Sequence, residues 1–426
     1  MSIVEVLSSP HLSGQAIVPG DKSISHRALL LSALAEGTSS ISGISSGDDV
    51  ARTAKVVTQL GATVERQGDV LIVAGGRSLL HEASDPLDFG NSGTGMRLAM
   101  GIVAGIPGLH QLHGDHSLSS RPMDRVARPL GHMGAHIIGQ GERCTAPLEI
   151  SGAALEGIEF AVPVPSAQVK SAILLAALGA KGPTLVTESV RTRPHTEEMI
   201  AEAGGHISVT DGPDGRSIEL EPSELAPRDW KVAADPSQSA FFVVAALLAN
   251  SSTVSVHDLY PDPTRIGFLS VLARMGASLE IEEHDGRLSV TARSSELMGT
   301  TIHGDEIPSL DEVPILAVAA AAAEGTTRFV GVAELRIKES DRFDRTIDLM
   351  SSLGASCSGE GDDLVVEGLG TAKRFSPVSF DAHEDHRMAM SAAIAGIVGG
   401  GAKVAGFETV ASSFPGFLDV LGGLHD

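Results

Sequence analysis

Cysteine is nearly absent from this sequence. Only Cys144 and Cys357 occur, too few for a disulfide framework or a thiolate metal cluster, and a reducing compartment such as the cytoplasm fits. Aromatic side chains are scarce as well, at 3%, so the core is expected to be aliphatic. Positive charge is also in short supply. Against 54 Asp and Glu stand 31 Lys and Arg, and the net charge of −23 repels nucleic acid and anionic membrane on average. The longest apolar run, residues 313–323, is interrupted by Pro314 and is too short to span a bilayer. The N-terminus shows neither a basic start nor a continuous apolar stretch with a cleavage site, so no secretory signal is expected. Together these absences leave a cytoplasmic globular protein with neither nucleic acid nor membrane as partner.

What is abundant is repetition. At 426 residues the chain exceeds the size of one growing core, so two or more domains are expected. Five amphipathic segments, VTQLGATV, LGHMGAHI, AEAGGHIS, LARMGASL and SSLGASCS, end in a glycine and then turn β-like. Their glycines, Gly61, Gly134, Gly204, Gly276 and Gly354, recur roughly every 70 to 78 residues and read as helix C-caps. In the same register run six Ala- and Leu-rich helices, each behind a polar cluster: DKSISHRALLL, GNSGTGMRLAM, PSAQVKSAILL, DPSQSAFFVVA, LDEVPILAVAA and EDHRMAMSAAI. Being apolar on most faces, these helices should lie buried with their polar N-termini exposed at one end. Six copies of one α/β unit divide into three and three, with the Pro-containing stretch 221–236 at the midpoint as a hinge. The sixth copy runs out before its strand, and residues 3–17 are expected to supply it. The expected domains are therefore residues 21–230, and residues 1–20 with 231–426. A stacked solenoid is the alternative, but its periods are shorter and its surface residues repeat, whereas here the polar cluster differs in every copy.

The chemistry should lie at the starts of the six helices, where unpaired N–H groups and the positive dipole end receive anions. There this acidic chain gathers its cations: Lys22, Arg27, Arg97, Arg121, Lys170, Arg193, Lys338, Arg342 and Arg387. The inference is a small substrate, or a pair of them, rich in phosphate and carboxylate. Gly20-Asp21-Lys22-Ser23 has the wrong glycine spacing for a nucleotide P-loop. His383-Glu384-Asp385-His386 lacks the spacing of a metal motif and reads equally well as a helix start. Asn91-Ser92-Gly93-Thr94-Gly95 suits either a turn or a close backbone approach to a ligand, and Asp311 and Glu312 suit helix capping.

Taken together, PGDKSISHR, DFGNSGTGMR, SLSSRPM, PSAQVKSA, RTRPHTE, IKESDR, EDHRMAMS and SSFPGF, in this order along nearly the whole chain, resemble the 5-enolpyruvylshikimate-3-phosphate synthase family. The resemblance implies an α/β fold of two domains, an inside-out α/β barrel with three repeats in each, and a site in the cleft between them. It implies transfer of the enolpyruvyl group from phosphoenolpyruvate to the 5-hydroxyl of shikimate 3-phosphate, with no cofactor and no metal, by a cytoplasmic monomer. Shikimate 3-phosphate would lie on Lys22, Ser23, Arg27, Ser166, Ala167, Gln168, Arg193, Asp311 and Lys338. Phosphoenolpyruvate would lie on Lys22, Asn91, Gly93, Thr94, Arg121, Gln168, Arg342 and Arg387. Addition followed by elimination needs a base and an acid, assigned to Asp311 toward the 5-hydroxyl and to Glu339 with Lys22 on the proton-donor side. Closure of the two domains should exclude water from the intermediate.

Three positions depart from the family's pattern or vary within it. Ser412 stands where many members carry a Lys, and Arg193 where other branches use Tyr. Gly93 lacks the methyl found in some inhibitor-tolerant members, which implies room for glyphosate in the phosphoenolpyruvate site. A UDP-N-acetylglucosamine enolpyruvyl transferase shares the fold but carries a Cys before its Arg-Pro pair, and residues 117–123 contain none. A non-catalytic anion-binding protein of the same fold is the remaining alternative.

Overall fold

The computed structural model describes residues 2–9, 11–213, 215–370 and 375–424. The chain divides into two compact units, one Gly20–Val232 and the other Met1–Pro19 with Ala233–Asp426. Each has its own apolar core.

In the unit of residues 20–232, three buried helices, Lys22–Leu34, Gly93–Val103 and Ala167–Ala177, form the centre. Each is apolar around most of its circumference, which is stable only if other elements cover it on every side. The middle helix packs against both others, and at Gly101 the approach to Ala172 is so close that a Cβ would lie 2.2 Å from its carbonyl oxygen. Three four-stranded sheets surround them, all of one order. In the first, Asp229–Lys231, Gly37–Ser42, Val70–Gly75 and Thr63–Gln67 lie side by side, the first pair parallel and the rest antiparallel. Alternate side chains of Val70–Gly75 point into the core, the period-two burial of a sheet covered on one face.

The second unit repeats this plan around Pro236–Leu248, Val313–Ala322 and His386–Val398, which pack against one another. Among the described residues, two of its sheets have four strands and one has three. The three-stranded sheet is that of the last copy, and Ile3–Val6 pairs antiparallel with Ala402–Ala405 to complete it. Ser13–Gln15 instead pairs parallel with Thr253–Leu259, so the expected N-terminal segment serves two sheets. Each unit thus receives the parallel edge strand of its first sheet from a distant stretch of chain, Asp229–Lys231 in one and Ser13–Gln15 in the other.

The five expected C-cap glycines have φ of +116°, +111°, +86°, +98° and +87°, a region where a Cβ is strained. They release the chain from the outer helices Asp48–Gln59, Asp124–His132, His195–Glu202, Pro263–Arg274 and Arg342–Leu353. The expectation of an aliphatic core needs one correction. Phe241, Phe242, Phe407, Phe414 and Phe417 form a contiguous ring cluster, with centroids 5.4 to 6.4 Å apart, that includes both phenylalanines of the SSFPGF motif. Among the described residues no helix is long and apolar enough to cross a membrane.

Candidate active site

Within the unit of residues 20–232 the site is built on three helix starts. Asp21, Ser92 and Ser166 cap them by accepting hydrogen bonds from the backbone N–H groups of Ile24, Gly95 and Val169. Other first-turn N–H groups lack intrahelical acceptors, as at any helix start, and side chains of the same segments gather beside them. Lys22 lies 2.9 Å from the Asp49 carboxylate. Arg27, almost fully buried, donates through Nε to Thr196 Oγ1 at 2.6 Å, through Nη1 to the Ser23 carbonyl at 2.8 Å and through Nη2 to Ser171 Oγ at 2.7 Å. Arg193 donates to Ser23 Oγ at 3.0 Å. Ala167 accepts a bond from Ser171 through its carbonyl, so Ser23, Arg27, Ala167 and Arg193 belong to one connected group.

A second group centres on the loop before Gly93. Arg121 donates to the Asn91 carbonyl at 3.2 Å, to Asn91 Oδ1, and to Ser117 Oγ at 2.9 Å, while Asn91 donates to Asp115 at 2.8 Å. Gln168 is oriented from both sides, accepting from Arg97 at 2.7 Å and donating to Thr94 Oγ1 at 2.8 Å. A Cβ at Gly93 would stand 3.1 Å from Nη1 of both Arg97 and Arg121.

The first of these helices also carries His26, which the sequence did not single out. Its Nδ1 lies 2.8 Å from Thr53 Oγ1 and its Nε2 3.4 Å from Ser92 Oγ, the cap of the second helix. Full burial, reinforced by the charges of Lys22 and Arg27, pushes the imidazole down to about 3 despite the opposing effect of Asp21. It is therefore neutral at physiological pH.

The second unit gathers its site residues around one guanidinium. Arg342 donates through Nε to Asp385 at 2.8 Å and through Nη1 to Asp311 at 3.1 Å, and its Nη2 lies 2.6 Å from Glu339. Burial alone would lower its pKa, but Asp385, Glu339 and Asp311 together outweigh that and raise it. Arg387 lies 3.6 Å from the other Asp311 oxygen, and Lys338 donates to the Ser309 carbonyl at 2.9 Å while the Ser309 hydroxyl accepts the Asp311 N–H. Asp385 is wholly buried, whereas Asp311 and Glu339 keep 17% and 21% of their side chains exposed, so these two carboxylates remain accessible from solvent. In the His383-Glu384-Asp385-His386 motif, His383 meets Arg345 and Asp385 meets Arg342, and Asp385 also caps the next helix. Among the described residues there is no group of three or more His, Cys, Asp or Glu able to hold a metal ion. Ser412 ends the short 3₁₀ turn Phe407–Ser412. Cys144 is half-buried, and burial, then the charge of Asp124, pushes its thiol up, so it is a poor nucleophile.

Thr196, Ser171, Asp49 and Asp385 stand among the site's cations without a local sign of it in the sequence. Their polar type was visible, but nothing local indicated that each would meet a cation from a distant element.

Known proteins resemble this chain over nearly its whole length. The family model described as EPSP synthase (3-phosphoshikimate 1-carboxyvinyltransferase) matches residues 7–421. A 3-phosphoshikimate 1-carboxyvinyltransferase of Desulforudis audaxviator is 44% identical, with 97% of each chain covered. One of Bradyrhizobium diazoefficiens is 45% identical over 97% of this chain and 90% of its own. The solved EPSP synthase of Acinetobacter baumannii superposes with a TM-score of 0.85 at 37% identity, over 99% of this chain and 98% of that one. The enolpyruvyl transferase NikO of Streptomyces tendae, at 17% identity and a TM-score of 0.79, shares the fold. With a family match across most of its length and relatives above 40% identity, this chain belongs to the EPSP synthase (3-phosphoshikimate 1-carboxyvinyltransferase) family.

Proposed function

We propose that the chain transfers the carboxyvinyl group of phosphoenolpyruvate to the 5-hydroxyl of shikimate 3-phosphate, as a cytoplasmic monomer with domain limits at 21–230 and at 1–20 with 231–426. The observation that carries the reading is Asp311, a carboxylate bonded to Arg342 at 3.1 Å that keeps part of its side chain accessible. Such a group can accept a hydroxyl proton without losing its orientation.

Shikimate 3-phosphate is held by Lys22, Ser23, Arg27, Ser166, Ala167, Gln168, Arg193, Asp311 and Lys338, and phosphoenolpyruvate by Lys22, Asn91, Gly93, Thr94, Arg121, Gln168, Arg342 and Arg387. Asp311 takes the proton of the 5-hydroxyl as its oxygen bonds to C2 of phosphoenolpyruvate. Glu339, with Lys22, delivers a proton to the methylene, giving a methyl group and a tetrahedral carbon that bears both substrates. Loss of phosphate from that carbon, which carries away the proton held by Asp311, and return of one methyl proton to Glu339 restore the double bond. The Arg forks suit phosphate and carboxylate bidentately and stabilise the departing phosphate.

The test is phosphate release by purified protein given phosphoenolpyruvate with shikimate 3-phosphate, in parallel with UDP-N-acetylglucosamine. Release with the shikimate ester alone is expected. Release with only the nucleotide sugar would overturn the acceptor, and release with neither would favour a non-catalytic anion binder.

A further inference from the structure

Lys170 is wholly buried, and its ammonium belongs to none of the groups assigned above. It stands on the helix Ala167–Ala177, two residues beyond Gln168. Its Nζ reaches Glu197 at 2.7 Å, Glu188 at 3.1 Å and the Thr192 carbonyl at 3.5 Å, three acceptors for three N–H bonds. Glu188 closes the strand Thr184–Glu188, and Glu197 lies in the first turn of His195–Glu202. The two carboxylates therefore sit at the two ends of the loop that carries Arg193. Glu188 also binds that loop directly, accepting the Thr192 N–H at 3.1 Å and the Thr192 hydroxyl at 2.7 Å. One residue further, Arg193 donates to Ser23; four residues further, Thr196 receives Arg27 and shares a 2.6 Å bond with Ser171, the neighbour of Lys170.

Burying one ammonium with two carboxylates is a poor way to gain stability, since the desolvation of the ions offsets most of their attraction. What such a cluster can supply is geometry, because each proton and lone pair admits one arrangement of the loop.

We propose that Lys170, bracketed by Glu188 and Glu197, is a positioning residue for shikimate 3-phosphate recognition that acts by fixing Arg193, and the loop bearing it, against Ser23. This rests on the substrate reading above. The bracket sets where the Arg193 fork points, so loosening it lowers affinity for the phosphorylated acceptor and leaves the phosphoenolpyruvate contacts of Asn91, Thr94 and Arg121 in place.

The test is a double-mutant cycle on purified full-length protein, with KM for each substrate and kcat measured separately. Thr192→Val removes only the hydroxyl that Glu188 accepts and preserves the shape of the loop; Lys170→Met removes the ammonium. Each is combined with Arg193→Ala. Thr192→Val is expected to raise KM for shikimate 3-phosphate several-fold and Lys170→Met by about ten- to a hundredfold, with KM for phosphoenolpyruvate changed less than about threefold. In the Arg193→Ala background both further increases shrink to less than about twofold. Equal effects with and without Arg193, or parallel rises in both KM values, would overturn the positioning role. If Lys170→Met does not fold, Thr192→Val alone decides between these outcomes. Wild-type protein that fails to turn over shikimate 3-phosphate would instead overturn the substrate reading itself.

Discussion

At the site, the two units give their arginines different partners. In residues 20–232, hydroxyl, amide and carbonyl oxygens orient Arg27, Arg97, Arg121 and Arg193. In the second unit carboxylates do so, with three around Arg342 and one of them shared with Arg387. A guanidinium among carboxylates is compensated in advance and lends its charge to tuning acids. On the site assignments proposed above this amounts to a division of labour: both units bring cations to the anionic groups, and the second adds the proton-transfer carboxylates.

The largest effect should come from the second unit. Asp311→Ala is expected to lower kcat by about 10²- to 10⁴-fold while shikimate 3-phosphate binding stays measurable by calorimetry. Unchanged turnover would remove Asp311 as the base. Asp385→Ala, which deletes a wholly buried charge partner, should cost about 3 kcal/mol in denaturant unfolding. The counterpart in the first unit, Thr196→Val, takes away one neutral acceptor of Arg27 and should cost only about 1 kcal/mol. Equal costs would erase the contrast.

Gly93→Ala brings a methyl to 3.1 Å from two guanidinium nitrogens, the flexible ends of Arg97 and Arg121, which have to yield by a few tenths of an ångström. KM for phosphoenolpyruvate is expected to rise, and inhibition by glyphosate to weaken, by about tenfold, roughly the 1.4 kcal/mol of one disturbed charged contact. Undiminished glyphosate inhibition would show that the methyl meets no bound ligand.

A further prediction concerns His26. Its folded pKa of about 3 lies below the ordinary 6.5, so the unfolded chain takes up the proton first. The stability from keeping it neutral is complete above pH 6.5 and declines as pH falls toward 3, at up to about 1.4 kcal/mol per pH unit. His26→Asn should therefore flatten the loss of stability between neutral pH and pH 4.5, as read from unfolding midpoints. A slope unaltered by the substitution would mean that the native imidazole titrates as it does in the unfolded chain.

Much of this was legible in the sequence because the repeat is local. A glycine behind an amphipathic run marks a helix end wherever it falls, so all five caps could be read from their own neighbourhoods. The cations at the helix starts were legible for the same reason. Pairing across long separations was not. Ser13–Gln15 was expected to serve the last copy, yet it joins Thr253–Leu259, because alternation tells a strand which face to bury but not which edge to choose. Nor does anything near Thr196 announce a bond to Arg27, 169 positions away. Asp385 read as a helix start and is one, but its second role as counter-ion to Arg342 depends on a packing that no local pattern encodes.

The division of labour is tested most directly by steady-state kinetics on Arg121→Met and Asp311→Asn side by side, with both substrates varied. The account predicts that Arg121→Met raises KM for phosphoenolpyruvate at least about tenfold with a smaller change in kcat, and that Asp311→Asn does the reverse. If both variants lost kcat and KM in the same proportions, the two units would not differ in the way their arginines suggest.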